Sequence, residues 1–310
     1  MSVNPLMRLI SILIILFALG TATVAAQPPK VVATINPIHS LVAGVMQDIG
    51  KPKLLVSGGQ SPHSFSLKPS SARLLSNAGA IFWVGENIET FIVKSLVNID
   101  GNARIVEWMK LDGLTLLEPR EGGIWGEDHH DHGHGHGHSN TDNHIWLDPK
   151  NAKIIVSEAV AVLSDLDPQN APRYRKNADS LHQRLDDLVQ EIDRDLVSLR
   201  EVPYVVFHDA YQYFENRFKM NALGSITLEP GRPPGAKRLF EIRNRIIDSN
   251  IRCVFREPQF EPKLAHSVTE GTAARIEILD PLGAELPSGP DAYFQLIRGL
   301  VSSISRCASR

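Results

Sequence analysis

Cysteine is scarce in these 310 residues: Cys253 and Cys307 are the only two, and both stand near the C-terminal end. With no CxxC spacing and no third cysteine, a thiolate-built metal site is excluded. The chain also lacks a GxxxxGK[ST] phosphate loop and a dinucleotide fingerprint, so it carries no nucleotide-hydrolysing motif of its own. It has no HExxH helix either. Basic runs and interleaved aromatics are missing, and the formal net charge is −3, which argues against nucleic acid as a partner. No apolar run reaches the about 20 residues that a transmembrane helix needs.

What is present is ordinary globular composition, 43% hydrophobic and 22% charged, and enough chain for two domains. The first 26 residues read as an export leader. Arg8 supplies the positive start, Leu9 to Leu19 is apolar apart from Ser11, and Val24-Ala25-Ala26 offers a small-residue cleavage site before Gln27. An uncleaved anchor is the alternative. No cysteine lies near the cleavage site, so a lipid anchor is not expected, and the mature protein is placed in a periplasm. Two cysteines in an exported chain are expected to pair, closing a loop of about 55 residues.

Short apolar runs alternate with amphipathic stretches. Strands are expected over 31–35, 53–56, 80–84 and 104–106, and helices over 39–49 and 70–77. Residues 118–143, rich in Gly, Asp and His, interrupt the pattern as a low-complexity insertion. Beyond it, helices are expected over 151–163 and 172–199. The second has Leu181, Leu185, Leu188, Ile192, Leu196 and Leu199 at helical spacing, and would be roughly 40 Å long. Its alternative is a coiled-coil dimer; the α/β context favours a backbone joining two domains. A second alternation then places strands over 204–207, 222–226, 252–255 and 276–279, with helices over 210–218, 236–249, 263–271 and 291–305. The reading is an α/β chain of two lobes, each a mainly parallel sheet flanked by helices, joined by one long rigid helix. The N-terminal lobe spans 27–165, the linking helix 170–200 and the C-terminal lobe 201–310.

Of the twelve histidines, six fall in His129, His130, His132, His134, His136 and His138. Imidazole suits zinc and copper, so this tract signals metal handling through weak, interchangeable sites; a solvated spacer is the alternative. A defined site requires histidines on the loops that follow strands, where α/β folds gather ligands. His63, His144 and His208 occupy such positions, and Asp280 follows the last strand. Three neutral imidazoles and a carboxylate would make a tetrahedral zinc site. His39, near the same sheet edge, is a candidate auxiliary ligand or a capping residue; His182 and His266 read as solvated helix residues. Asp209 is a candidate acceptor for an imidazole N–H, and Glu257 a candidate for an ion pair with Arg256 or for lining the site.

Pro62-His63-Ser64-Phe65-Ser66-Leu67-Lys68-Pro69-Ser70, His144-Ile145-Trp146-Leu147-Asp148-Pro149, Phe207-His208-Asp209-Ala210-Tyr211, Glu257-Pro258-Gln259-Phe260 and Leu279-Asp280-Pro281-Leu282-Gly283 together resemble the periplasmic solute-binding proteins of zinc-uptake ABC transporters, the ZnuA type. The resemblance covers nearly the whole mature chain. It implies His63, His144 and His208 as ligands, Asp280 beside the metal as the fourth, zinc as cargo, a membrane permease as partner, and a monomer without catalysis. Some zinc members carry glutamate directly before the first histidine; Pro62 stands there in this chain, leaving the fourth position to Asp280 or water. Manganese-binding relatives replace the third histidine with a carboxylate, so His208 favours zinc. The competing classes are a secreted zinc hydrolase, which three histidines with an open position would suit, and a zinc-storing or adhesin-like surface protein.

Overall fold

The computed structural model describes residues 27–57, 59–99, 101, 103–120, 124–125, 141–228, 230–231 and 233–309. The expected leader and the six clustered histidines lie outside them.

Two four-stranded sheets carry the fold, and every pairing between their strands is parallel. The first contains β1 (Val31–Ala33), β2 (Lys53–Leu54), β3 (Ala80–Trp83) and β4 (Arg104–Glu107), in the order β2-β1-β3-β4. The second contains β5 (Tyr204–His208), β6 (Ala222–Thr227), β7 (Cys253–Arg256) and β8 (Arg275–Ile278), in the order β6-β5-β7-β8. The two orders are the same topology. In each, the chain leaves its first strand to one side, then returns to the other, and this reversal opens a crevice at the strand ends. Parallel neighbours need long crossovers, and helices supply them.

The helices of the first half are α1 (Asn36–Val45), α2 (Pro69–Ser76), α3 (Thr90–Val97) and α4 (Pro149–Leu166). Those that follow are α5 (Ala171–Leu196), α6 (Gln212–Phe218), α7 (Ala236–Asp248), α8 (Lys263–Thr269) and α9 (Ala292–Ala308). α1 starts at Asn36, earlier than the sequence suggests, because Pro37 sits in its first turn. There the fixed φ of proline fits a helix and its missing N–H costs nothing.

The long helix is α5, extended by a 3₁₀ turn at Val197–Leu199. Its apolar stripe, including Leu181, Leu185, Leu188 and Ile192, is buried against this chain's own core, not left as a seam for a second copy. It packs on α4, α1 and α9. Gly44 of α1 permits one close approach, since a Cβ there would lie 2.8 Å from Cδ1 of Leu181. One continuous core results, reaching from Val31 and Phe82 of the first sheet through α5 to Val206 and Phe255 of the second.

Cys253, opening β7, is bonded to Cys307 of α9 with Cα atoms 5.8 Å apart. Tying the last helix to the second sheet stabilises the fold by about 2–4 kcal/mol. Among the described residues, no helix is long and apolar enough to cross a membrane.

Candidate metal centre

Loops from both sheets meet at one small pocket. His63 lies in the turn between β2 and α2, and its backbone N–H donates to Oγ of Ser61 at 3.3 Å. His144 caps the 3₁₀ turn Ile145–Leu147 that leads into α4. His208 is the last residue of β5, beside the crevice between β5 and β7 where the second sheet reverses. One nitrogen from each of these three rings lies within 4.8 Å of the others, and the ring centroids are 5.2 to 5.7 Å apart. His144 and His208 are buried and His63 half-buried.

The rings are held from behind. Nδ1 of His208 lies 2.5 Å from Oε1 of Glu257, and Nδ1 of His144 lies 2.7 Å from Oδ1 of Asp142. An ionised carboxylate only accepts, so each Nδ1 carries the hydrogen and donates it. In the neutral rings the Nε2 atoms then keep free lone pairs, and those of His144 and His208 face each other at 3.3 Å. Two lone pairs at that distance repel until a proton or a cation comes between them. Carboxylate behind, imidazole in front is the arrangement that orients metal-binding histidines.

The electrostatics differ from ring to ring. Burial pushes the His63 pKa well below 6.5, and the neighbouring His208 and His144 push it further. For His208, burial acts downward too, but the Glu257 charge and hydrogen bond prevail and leave its pKa raised.

Contacts between the halves fix the loops. Nε1 of Trp146 donates to the Pro281 carbonyl at 2.8 Å, and the Tyr293 hydroxyl to the Trp146 carbonyl at 2.8 Å. The Tyr213 hydroxyl donates to the Asp142 carbonyl at 2.7 Å, and Arg217 grips both oxygens of Asp148 at 2.8 and 2.6 Å.

The remaining sequence candidates fall elsewhere. Asp280 is not in the cluster of donor atoms; its carboxylate accepts the backbone N–H groups of Leu282, Gly283 and Ala284. Gly283 has a left-handed φ of 66°, which that turn needs and which L side chains rarely adopt. Asp209 does not reach an imidazole. It is ion-paired with Arg120, which also meets Glu215 at 2.7 Å and lies over the Trp125 ring at 3.5 Å. Glu257 pairs with His208 rather than Arg256. His39 is buried with Nε2 3.1 Å from the Pro52 carbonyl oxygen, which gives it a packing role. His182 bridges Ser157 and Lys153 on the outside of α4 and α5, and His266 is exposed on α8. Sequence reasoning missed Asp142 as an orienting acceptor; the signal was there, two residues before His144.

The comparisons with known proteins agree with this geometry. Residues 31–307 match the family model described as the periplasmic component A of the zinc-uptake complex. A high-affinity zinc uptake system protein ZnuA of Brucella suis biovar 1 is 44% identical over 315 aligned positions, covering 93% of this chain and 94% of that protein. A crystal structure of ZnuA superposes with a TM-score of 0.76 at 25% identity, over 90% of this chain and 99% of that one. The periplasmic zinc-binding protein TroA from Treponema pallidum, 21% identical, shares the fold with a TM-score of 0.76 over 91% of this chain and all of that one. The chain belongs to the ZnuA family of periplasmic zinc-uptake components.

Proposed function

We propose that this protein captures zinc in the periplasm on His63, His144 and His208 and delivers it to the membrane permease of an ABC importer. The observation that carries the reading is the convergence of three imidazoles from two sheets, two of them backed by carboxylates. Three neutral nitrogen donors suit zinc better than manganese. ATP is hydrolysed by another subunit, since this chain has no phosphate loop. The protein performs no catalysis; the hydrolase alternative is set aside by membership of a zinc-uptake family.

The chain acts as a monomer, a reading supported by the burial of the α5 stripe within its own core. Its leader is cut near Ala26, and 27–165, 170–200 and 201–310 are the first lobe, the connecting helix and the second lobe. The tract from His129 to His138 collects zinc weakly, beside the tight site.

A strain lacking this protein, grown under zinc chelation, tests transport. Growth is restored by the wild-type chain and by one lacking residues 128–138, but not by His208→Ala. Rescue by His208→Ala overturns the transport reading. Zinc analysis of the deletion variant shows fewer ions per chain with the tight one retained; loss of the tight ion would make the tract a ligand donor.

A further inference from the structure

The three imidazoles leave one position of a tetrahedral zinc ion open. The pocket around them is walled by Pro62, Trp146, Phe260, Pro281 and Leu282, so only a few polar side chains there can complete the shell or hold a water that does. Ser61, Glu257 and Gln259 are the other residues lining it. Oγ of Ser61 accepts the His63 N–H, and Glu257 stands behind His208 as the acceptor of its Nδ1 hydrogen through Oε1. Gln259 differs: its Oε1 is buried with no hydrogen-bond partner.

Asp280 accounts for that orientation. Its Oδ1 accepts from Nε2 of Gln259, from Leu282 N and from Gly283 N, each at 3.0 Å. Its Oδ2 accepts from Ala284 N at 2.6 Å. Both oxygens of the carboxylate are thus engaged as acceptors, Oδ1 by three donors and Oδ2 by one. Because Asp280 can only accept, the Gln259 amide must present its NH₂ group to it. The opposite rotamer would set two oxygens against each other. The carbonyl oxygen is therefore turned away from Asp280 and left to find its donor elsewhere. A buried carbonyl without one is costly, and a water on zinc has an O–H to give.

We propose that Gln259 holds the fourth zinc ligand, a water that donates to its Oε1, and that Asp280 acts through Gln259 as a positioning residue rather than on the metal. This rests on the three-histidine reading and refines it. A neutral acceptor behind the water adds no charge to the site, so imidazole remains the only protein donor and the water can leave with the ion.

The test uses the full-length mature chain, zinc competition titrations and cobalt(II) as a spectroscopic stand-in. Gln259→Met, close in size and without the acceptor, should weaken zinc about tenfold. The cobalt spectrum should keep its three-nitrogen character. Asp280→Asn should weaken binding comparably in the wild-type background and by less than about twofold in Gln259→Met, since both act on one hydrogen bond. In wild-type protein, cobalt in oxygen-17-enriched water should show a labelled oxygen on the metal. That measurement needs no variant and tests the water ligand itself, while the two substitutions test its holder. Wild-type affinity in Gln259→Met, an undiminished Asp280→Asn loss in that background, or no labelled oxygen would each overturn the proposal. His208→Ala, run alongside, separates the two readings: retained affinity there removes the three-histidine site itself, whereas its loss with Gln259→Met unaffected removes only the role of Gln259.

Discussion

The Nε2 atoms of His144 and His208 lie 3.3 Å apart with no hydrogen to share when both rings are neutral. Asp142 and Glu257 impose this by taking the Nδ1 hydrogens, so the metal-free site holds lone pairs in opposition. The fold tolerates the arrangement because the loops are tied across the halves by Trp146, Tyr213 and Arg217. A cation entering between the rings turns that repulsion into coordination, and the site is thereby built for its cargo in advance.

The orienting carboxylates should therefore matter almost as much as the ligands. Glu257→Gln and Asp142→Asn are each expected to lower zinc affinity about 10–100-fold. Glu257→Gln should also move the His208 titration to lower pH in metal-free protein, because the charge that raises it is gone. Unchanged affinity in both variants would show that packing alone orients the rings.

Protons compete with zinc for the same nitrogens. His208 has its pKa raised above 6.5 and His63 has its pKa well below it. As pH falls, His208 is thus protonated before His63, and loss of affinity begins above the ordinary histidine value. Competition titrations between about pH 8 and pH 5 should show the affinity constant falling at first near tenfold per pH unit, steepening as a second ring takes up a proton. A pH-independent constant over that range would contradict an imidazole site.

In the first sheet, Glu89 lies at the ends of β1 and β3, beside Thr34, Val84 and Gly85. It is fully buried, accepts from Val84 N at 2.7 Å and Gly85 N at 3.0 Å, and burial raises its pKa to about 7. The folded chain then binds its proton more tightly than the unfolded chain, whose value is near 4.5. Its stabilising contribution is complete below about 4.5 and is lost as pH rises through about 7. Denaturation of metal-free protein at about pH 4 and pH 8 should show a larger fall for wild type than for Glu89→Gln, by ~3 kcal/mol. Equal falls would mean that folding leaves the Glu89 pKa unraised.

The three imidazoles were legible in the sequence because apolar strands end abruptly in polar residues. Phe207-His208-Asp209 is the clearest case. The disulfide was legible because only two cysteines exist. What the sequence did not reveal were choices among equivalent partners. Asp209 adjoins His208 along the chain, yet Arg120, 89 residues away, draws it aside, while Glu257, 49 residues away, takes the imidazole. Nor could it be seen that Asp280 accepts three amides of its own turn, since that depends on the left-handed backbone at Gly283. Helix α3 also escaped, because Thr90–Val97 has the β-branched, apolar content of a strand and becomes helical through its packing beneath the first sheet.

The central claim is that zinc is bound by His63, His144 and His208 together. Titration calorimetry on single alanine variants of these three, with His182→Ala and His266→Ala as controls, tests it most directly. Each of the three should lose tight zinc binding by at least about a hundredfold, and both controls should bind as wild type. Wild-type affinity in any one of His63→Ala, His144→Ala or His208→Ala would contradict the account.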